Sequence, residues 1–107
     1  MSLHAVFTRQ SEEDLYLVTR FIAESSPDSA ARLTTNFLRS VERLVHHPRI
    51  GRVAETPASS ADELRWLPID GFPNHLIFYR VAQDQLIVVR IIHGARELES
   101  ILLDPPI

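Results

Sequence analysis

The first half of the chain carries two segments in which hydrophobic residues recur at helical spacing. Ser11 precedes Glu12, Glu13 and Asp14, a pattern typical of a helix N-cap followed by acidic residues in the first turn. The segment from Ser11 to about Ser25 is therefore predicted to be an amphipathic helix. Five apolar residues share one side of this helix and are expected to face the core: Leu15, Leu17, Val18, Phe21 and Ile22.

A second, more regular helix is predicted to begin at Ser26 and Pro27, because proline favours the first position of a helix. His46 and His47 suit its negative end, and Pro48 ends it. Its apolar arc is predicted to contain Ala30, Leu33, Phe37, Leu38, Val41, Leu44 and Val45. Its polar arc is predicted to contain Arg32, Arg39, Arg43 and His46. Two amphipathic helices this close in the chain are expected to form an antiparallel hairpin.

The other hydrophobic runs are short and indicate strands. LHAVFT predicts a first strand, and ELRWLPI, NHLIFYRV and QLIVVRII predict three more, linked closely enough for an antiparallel meander. VAETPASSAD is typical of a loop, and a short helix is predicted from Arg96 to about Leu103. The prediction is one α+β domain over residues 1–107, of order β-α-α-β-β-β-α, with an antiparallel sheet packed against the helical hairpin.

Alternation along the last two strands predicts which face of the sheet the hairpin covers. One set of alternating positions is wholly apolar and is expected to face the hairpin: Ile77, Tyr79, Val81, Ile87, Val89 and Ile91. The other set mixes apolar residues with Arg80 and Arg90. A partly solvated apolar face of this kind is a candidate binding surface.

Composition narrows the function without defining it. The net charge of -3 argues against a nucleic-acid binder that works through overall charge, so no sequence-specific nucleic-acid binding is expected. Cysteine is absent, which fits a reducing cytoplasm, and neither a signal peptide nor a membrane-spanning segment is expected. All 11 basic residues are arginines, and arginine suits fixed ion pairing and anion recognition better than general base catalysis.

The junction after the last strand contains His93, Gly94 and Arg96. His93 is expected to be a partly buried structural residue with a ring nitrogen bonded to the backbone, and Gly94 to supply a backbone conformation that other residues resist. Arg96 either pairs with Glu99 or joins Arg80 and Arg90 as an anion-binding cluster. His46 and His47 point about 100° apart on a helix, so no metal site is expected there.

Several stretches together resemble a known family: PRIGR, LRWLPIDGFPNHLIFYRV and IIHGARELESIL, in the predicted order of elements. They are similar to the ParE branch of the ParE/RelE toxin superfamily, over nearly the whole chain. The resemblance implies a bacterial, plasmid-stabilising toxin of a type II toxin–antitoxin system, neutralised by direct binding of a ParD-like antitoxin. It also implies a cytoplasmic protein that inhibits DNA gyrase and thereby stops replication.

The RelE-like relatives instead cut mRNA on the ribosome, and this chain lacks most of the residues that the resemblance associates with cleavage. The second strand has only Arg65, the early third-strand position is Leu76, and the late aromatic position is Leu102. Arg96 alone matches. Cleavage needs a proton acceptor, a proton donor and cations for the phosphate, so we expect action by binding, with no catalytic residues.

The resemblance therefore leaves three functions open. The first is a gyrase-directed toxin; the alternatives are a ribosome-dependent endoribonuclease and a degenerate, non-toxic member that only binds an antitoxin. Arg65, Arg80, Arg90 and Arg96 are the candidates to bind the acidic, amphipathic C-terminal segment of the antitoxin. No cofactor or metal is expected, and both a homodimer and a toxin–antitoxin hetero-oligomer are compatible with the sequence.

Overall fold

The computed structural model of the chain describes residues 2–54 and 63–94. Two helices and five strands follow one another in this part of the chain: β1 (His4–Phe7), α1 (Arg9–Ser25), α2 (Pro27–His46), β2 (Arg52–Val53), β3 (Arg65–Ile69), β4 (Phe72–Ala82) and β5 (Gln85–His93). The predicted α+β order is confirmed through β5, with β2 as an additional strand. The predicted C-terminal helix and most of the predicted loop lie outside the described residues.

The five strands form one sheet in the order β1-β5-β4-β3-β2. β3, β4 and β5 form the predicted antiparallel meander, joined by the two-residue turns Asp70-Gly71 and Gln83-Asp84. β1 pairs with β5 in parallel, so the sheet is mixed and not wholly antiparallel as predicted. Parallel neighbouring strands need a long connection, and both helices and the other three strands lie between β1 and β5 in the chain. β2 was missed because two residues leave no periodic pattern.

α1 begins two residues earlier than predicted, and its N-cap is Thr8. Thr8 Oγ1 accepts the N–H of Ser11 at 3.1 Å, and Ser11 Oγ donates to the Thr8 carbonyl at 2.8 Å. Leu17 and Phe21, predicted to face the core, are 52% and 74% exposed. Their exposure follows from the orientation of the helix, which buries the side that carries Ser11 and Asp14.

α2 matches its prediction closely. Ser26 is both the C-cap of α1 and the N-cap of α2, so a single residue separates the two helices of the hairpin. Pro27 occupies the first turn, and the helix ends at His46 with His47 as its C-cap. The predicted apolar arc is buried except for Leu38, which is 55% exposed. The longer of the two helices has 20 residues, and no helix of the described chain is long and apolar enough to cross a membrane.

The main core lies between the hairpin and the sheet. It is formed by buried residues of α2, β3, β4 and β5: Leu33, Phe37, Val41, Leu44, Val45, Ile69, Ile77, Tyr79, Leu86, Val88 and Ile91. Leu15, Val18 and Ile22 of α1 pack against it with partial burial. Burial of this many large side chains is the main source of stability for a fold of this size.

A β-bulge explains why the alternation of β5 was only partly predicted. Phe78 pairs with Arg90 but Tyr79 pairs with Val88, so Val89 is an extra residue on β5. An extra residue reverses the alternation, and Leu86 and Val88 therefore face the hairpin where Ile87 and Val89 were predicted. The predictions for Ile77, Tyr79 and Ile91 are confirmed, whereas Val81 is 38% exposed.

The face of the sheet opposite the hairpin is more buried than predicted. A second cluster there contains Ala54, Leu76, Phe78 and Ile92, none more than 8% exposed. Leu64 and Trp66 pack against this cluster, and the guanidinium of Arg52 lies 5.6 Å from the centre of the Trp66 ring. The partly solvated face expected from the sequence is therefore a second small core at these positions.

Candidate partner-binding site

An open groove of about 420 Å³ lies between the two helices beside the end of β1. Its lining consists of Phe7, Ser11, Glu12, Leu15, Tyr16, Thr19, Thr34, Phe37 and Leu38. The rings of Phe7 and Phe37 lie 6.0 Å apart in a tilted arrangement. Tyr16 and Leu38 remain 59% and 55% exposed. Large apolar side chains exposed around a concave surface are typical of a protein-binding site.

Arg90, one of the predicted anion-binding arginines, is bound within the chain by Asp14. Arg90 Nε donates to Asp14 Oδ2 at 2.7 Å, and Arg90 Nη2 donates to Oδ1 at 3.1 Å. The same carboxylate accepts the backbone N–H of Ile91 at 3.0 Å and the side-chain amide of Gln10 at 3.1 Å. The side chain of Asp14 is only 8% exposed, so this ion pair joins α1 to β5 in a largely buried setting.

Arg65 also makes extensive internal contacts. Its Nη1 donates to the carbonyls of Arg49 and Gly51 at 3.0 and 2.8 Å, and its Nη2 lies 2.9 Å from Glu63 Oε2. The hydroxyl of Tyr79 donates to the Pro48 carbonyl at 2.7 Å and accepts the N–H of Gly51 at 3.0 Å. Together, Arg65 and Tyr79 tie the turn after α2 to the sheet.

Tyr79 is suited to this role because it keeps its proton. Burial raises the pKa of the Tyr79 phenol, an effect that the N–H of Gly51 and the nearby Arg65 oppose. Gly51 must lack a side chain, since an added Cβ would lie 2.7 Å from Tyr79 Cε1. A protonated phenol at neutral pH serves as a hydrogen-bond donor and not as a base.

Two of the predicted anion-binding residues, Arg65 and Arg80, line one cavity of about 330 Å³. Arg49, which the sequence did not single out, lines it too, together with Glu63. Arg90 is instead engaged by Asp14. Arg96 lies outside the described residues.

His93 and Gly94 lie at the end of β5, as predicted, but the structure explains them differently. Nδ1 of His93 is buried and has no hydrogen-bond partner among the described residues, so this nitrogen does not make the expected bond to the backbone. The ring instead packs edge to face on His75, with centres 5.5 Å apart. Gly94 has no left-handed backbone; a Cβ there would lie 3.1 Å from Leu76 Cδ1, so the glycine relieves a tight contact with that side chain.

His75 of β4 pairs with His93 at this junction, and the fold shifts its pKa. Burial lowers the pKa of His75, and the neighbouring His93 lowers it further. Among the described residues, no group of three or more histidine, aspartate or glutamate side chains could hold a metal ion. His46 at the end of α2 contacts Glu42 and Ser2, each at 3.0 Å.

Sequence reasoning missed Asp14, Arg49, Glu63 and the groove residues Tyr16 and Leu38. Asp14 resembled an ordinary first-turn acid, and its partner lies 76 positions away along the chain. Leu38 fell on the apolar arc of the helical wheel. The available signal in the sequence was Tyr16 itself, a large aromatic residue that falls outside the predicted apolar side of α1.

These features define a small α+β domain with an open apolar groove between two helices and an arginine-lined cavity beside the sheet. The family described as "ParE toxin of type II toxin-antitoxin system, parDE" matches residues 5–98. No curated protein gives a significant match. A similar solved structure is titled "Chromosomal ParDE TA system from P. aeruginosa", with a TM-score of 0.65 and 17% sequence identity. The similarity covers 86% of this chain and 96% of that chain.

At 17% identity, the solved structure supports the shared fold, and the family match supports the relationship. The chain belongs to the ParE toxin family of type II toxin–antitoxin systems.

Proposed function

We propose that this chain is the toxin of a type II toxin–antitoxin pair, that a ParD-like antitoxin neutralises it by direct binding, and that the free toxin inhibits DNA gyrase in the cytoplasm. Family membership supports the toxin assignment. The observation that carries the antitoxin part of the proposal is the open apolar groove between α1 and α2.

An amphipathic antitoxin helix is the occupant that fits this groove. Such helices place an apolar face in a hydrophobic groove and contact it through residues about one turn apart. Tyr16 and Leu38 stand on opposite helices of the hairpin and offer exposed apolar contacts to such a face. Aromatic and aliphatic anchors at the centre of an interface contribute most of its affinity.

Action by binding is favoured over RNA cleavage. The chain contains no lysine, and among the described residues that line the arginine cavity the one carboxylate, Glu63, is paired with Arg65. Tyr79 is a poor base because its phenol keeps its proton. Inhibition of gyrase needs no proton transfer, since a bound toxin can arrest an enzyme intermediate.

The target is tested by adding purified, antitoxin-free protein to a gyrase supercoiling reaction and to a translating mRNA. We expect supercoiling to be inhibited and the mRNA to remain intact. Cleaved mRNA with normal supercoiling would overturn the gyrase assignment in favour of the endoribonuclease. Normal growth of cells that express the folded protein without antitoxin would favour the degenerate, non-toxic member.

The groove is tested with Leu38→Glu, which places a charge among the apolar residues that line it. The binding partner is the product of the neighbouring reading frame, and affinity is measured by titration calorimetry. We expect affinity to fall by about a hundredfold, the loss typical of a central interface residue. Leu17→Glu is the matched control, because Leu17 is similarly exposed but does not line the groove. Equal losses in the two variants would rule out the groove as the docking site.

A further inference from the structure

The cavity beside β3 and β4 gathers an unusual share of positive charge. It is lined by Pro48, Arg49, Glu63, Arg65, Tyr79, Arg80 and Val81. Among the lining residues that the structure describes, three are arginines and one is a glutamate, around a volume of about 330 Å³. Arginine presents a planar fork of donors that matches the two oxygens of a carboxylate or phosphate.

The cavity holds Arg65 in place, and the backbone that carries Arg49 is fixed beside it. Two backbone carbonyls fix Nη1 of Arg65, whose side chain is 19% exposed. The hydroxyl of Tyr79 bridges Pro48 and Gly51, and thereby fixes the turn from which Arg49 projects. Preorganised donors bind an anion more tightly than flexible ones, because less conformational freedom is lost on binding.

Glu63 already supplies a carboxylate to this cavity. Its Oε2 lies 2.9 Å from Nη2 and 3.1 Å from Nε of Arg65. The side chain of Glu63 is 55% exposed, so the ion pair is a surface pair that contributes at most about 1 kcal/mol and exchanges easily. The contact shows that the geometry of Arg65 accepts a carboxylate oxygen.

We infer that this cavity binds a carboxylate side chain of an acidic protein segment, which replaces Glu63 on Arg65 and is also attracted by Arg49 and Arg80. The inference rests on the proposed function in one respect: the acidic segment belongs to the antitoxin. A carboxylate is favoured over a nucleic-acid phosphate because the guanidinium of Arg65 already binds a carboxylate, that of Glu63, at 2.9 Å in this cavity.

The test is a titration of the isotope-labelled full chain with hexaglutamate at low salt, followed by NMR. We expect shifts at residues around the cavity. Arg49→Gln should weaken binding, and Glu63→Gln should strengthen it by about two- to fivefold, because a competing charge is removed. Arg39→Gln is the matched control, since it removes an equal charge from an exposed position on α2.

Two results would overturn the inference. One is equal affinity of the Arg49→Gln and Arg39→Gln variants, both shown to be folded by circular dichroism. The other is tighter binding, with shifts at the same residues, of a six-nucleotide single strand than of hexaglutamate. The titration uses neither antitoxin nor gyrase, so its outcome is independent of the toxicity and groove experiments.

Discussion

At the scale of single residues, Asp14 joins α1 to β5 through a set of polar contacts. Its carboxylate binds a guanidinium, a backbone N–H and an amide from three separate positions. A buried carboxylate is tolerated only when its oxygens are fully hydrogen-bonded, and this requirement is met here. The sequence predicted an acidic residue that favours the helix start, but the contact with β5 depends on tertiary structure.

Asp14→Ala should lower the free energy of unfolding by about 2–4 kcal/mol, because Arg90 loses its carboxylate partner and the Ile91 N–H loses its acceptor. Chemical denaturation at pH 7 measures the change. Glu13→Ala is the control, since Glu13 is exposed and should change stability by less than about 0.5 kcal/mol. Similar values for both variants would refute a structural role of the Asp14 pair.

His75 of β4, which pairs with His93 at the end of β5, predicts a pH dependence of stability. The unfolded chain binds a proton near the ordinary histidine pKa of 6.5, whereas burial and His93 lower the pKa of His75 in the folded chain. Since the unfolded state then binds more protons, stability is full above pH 6.5 and falls as the pH decreases through and below it.

His75→Gln should therefore lose less stability than the parent chain between pH 7.5 and pH 5.5, measured by urea unfolding at both values. The exposed His47 provides the control as His47→Gln, which should retain the pH dependence of the parent chain. An unchanged pH dependence in His75→Gln would show that other groups cause it.

At the scale of the elements, the turn between α2 and β2 depends on a side chain from β4. Tyr79 is fully buried and its hydroxyl satisfies two backbone groups of that turn. The bulge at Val89 also has an effect beyond its own position, because it determines which residues of β5 face the hairpin. Alternation along β4 predicted that Tyr79 faces inward but not the two hydrogen bonds of its hydroxyl, and alternation along β5 did not predict the bulge.

Tyr79→Phe should cost about 1–3 kcal/mol of stability, because the Pro48 carbonyl and the Gly51 N–H would be left without their partner. The midpoint of chemical denaturation reports this loss. Tyr16→Phe removes an exposed hydroxyl and should be nearly neutral. If the two variants were equally stable, water would have to satisfy the backbone groups in place of the phenol.

These elements show what the sequence could predict and why. α2 has twenty residues of regular period, so its bounds and its apolar arc were predicted, apart from the exposed Leu38 and the buried Ser40. The bulge in β5 was not predicted because no residue type marks it. The helix start was misplaced because Thr8 and Ser11 are both good caps, and the choice between them depends on the contact of Thr8 Oγ1 with the Val89 carbonyl at 2.8 Å.

At the scale of the whole molecule, the chain offers partners two different surfaces: an apolar groove on the hairpin and a positively charged cavity beside the sheet. The family resemblance predicted the fold and the toxin class, both confirmed by the family match. The sequence named Arg65 and Arg80 of the cavity but not Arg49, and it did not predict that Tyr16 and Leu38 would both line a groove, because that depends on how the two helices pack. Residue roles that depend on Arg96 stay predictions.

Antitoxin binding should stabilise the whole domain. A ligand at a hundredfold excess over its Kd adds about 2.7 kcal/mol to the free energy of unfolding. For a domain of about 100 residues, this corresponds to a rise in Tm of about 10 °C or more. Differential scanning calorimetry with the neighbouring gene product measures it, and an unchanged Tm at saturating concentration would exclude that product as a partner of the folded toxin.

The arrangement of strand lengths bears on self-association. Among the described residues, the longest strands, β4 with 11 residues and β5 with 9, lie inside the sheet, while the outer strands β1 and β2 have 4 and 2. Past the end of β1, two side chains contact the part of the β5 edge that β1 does not pair with: Thr8 bonds to Val89, and Asp14 bonds to Ile91. Because the edges of the sheet are short or covered, a second copy of the chain finds little unpaired backbone on which to form amyloid-like stacks. The chain can thus keep an open apolar groove without offering the extended template from which fibrils grow.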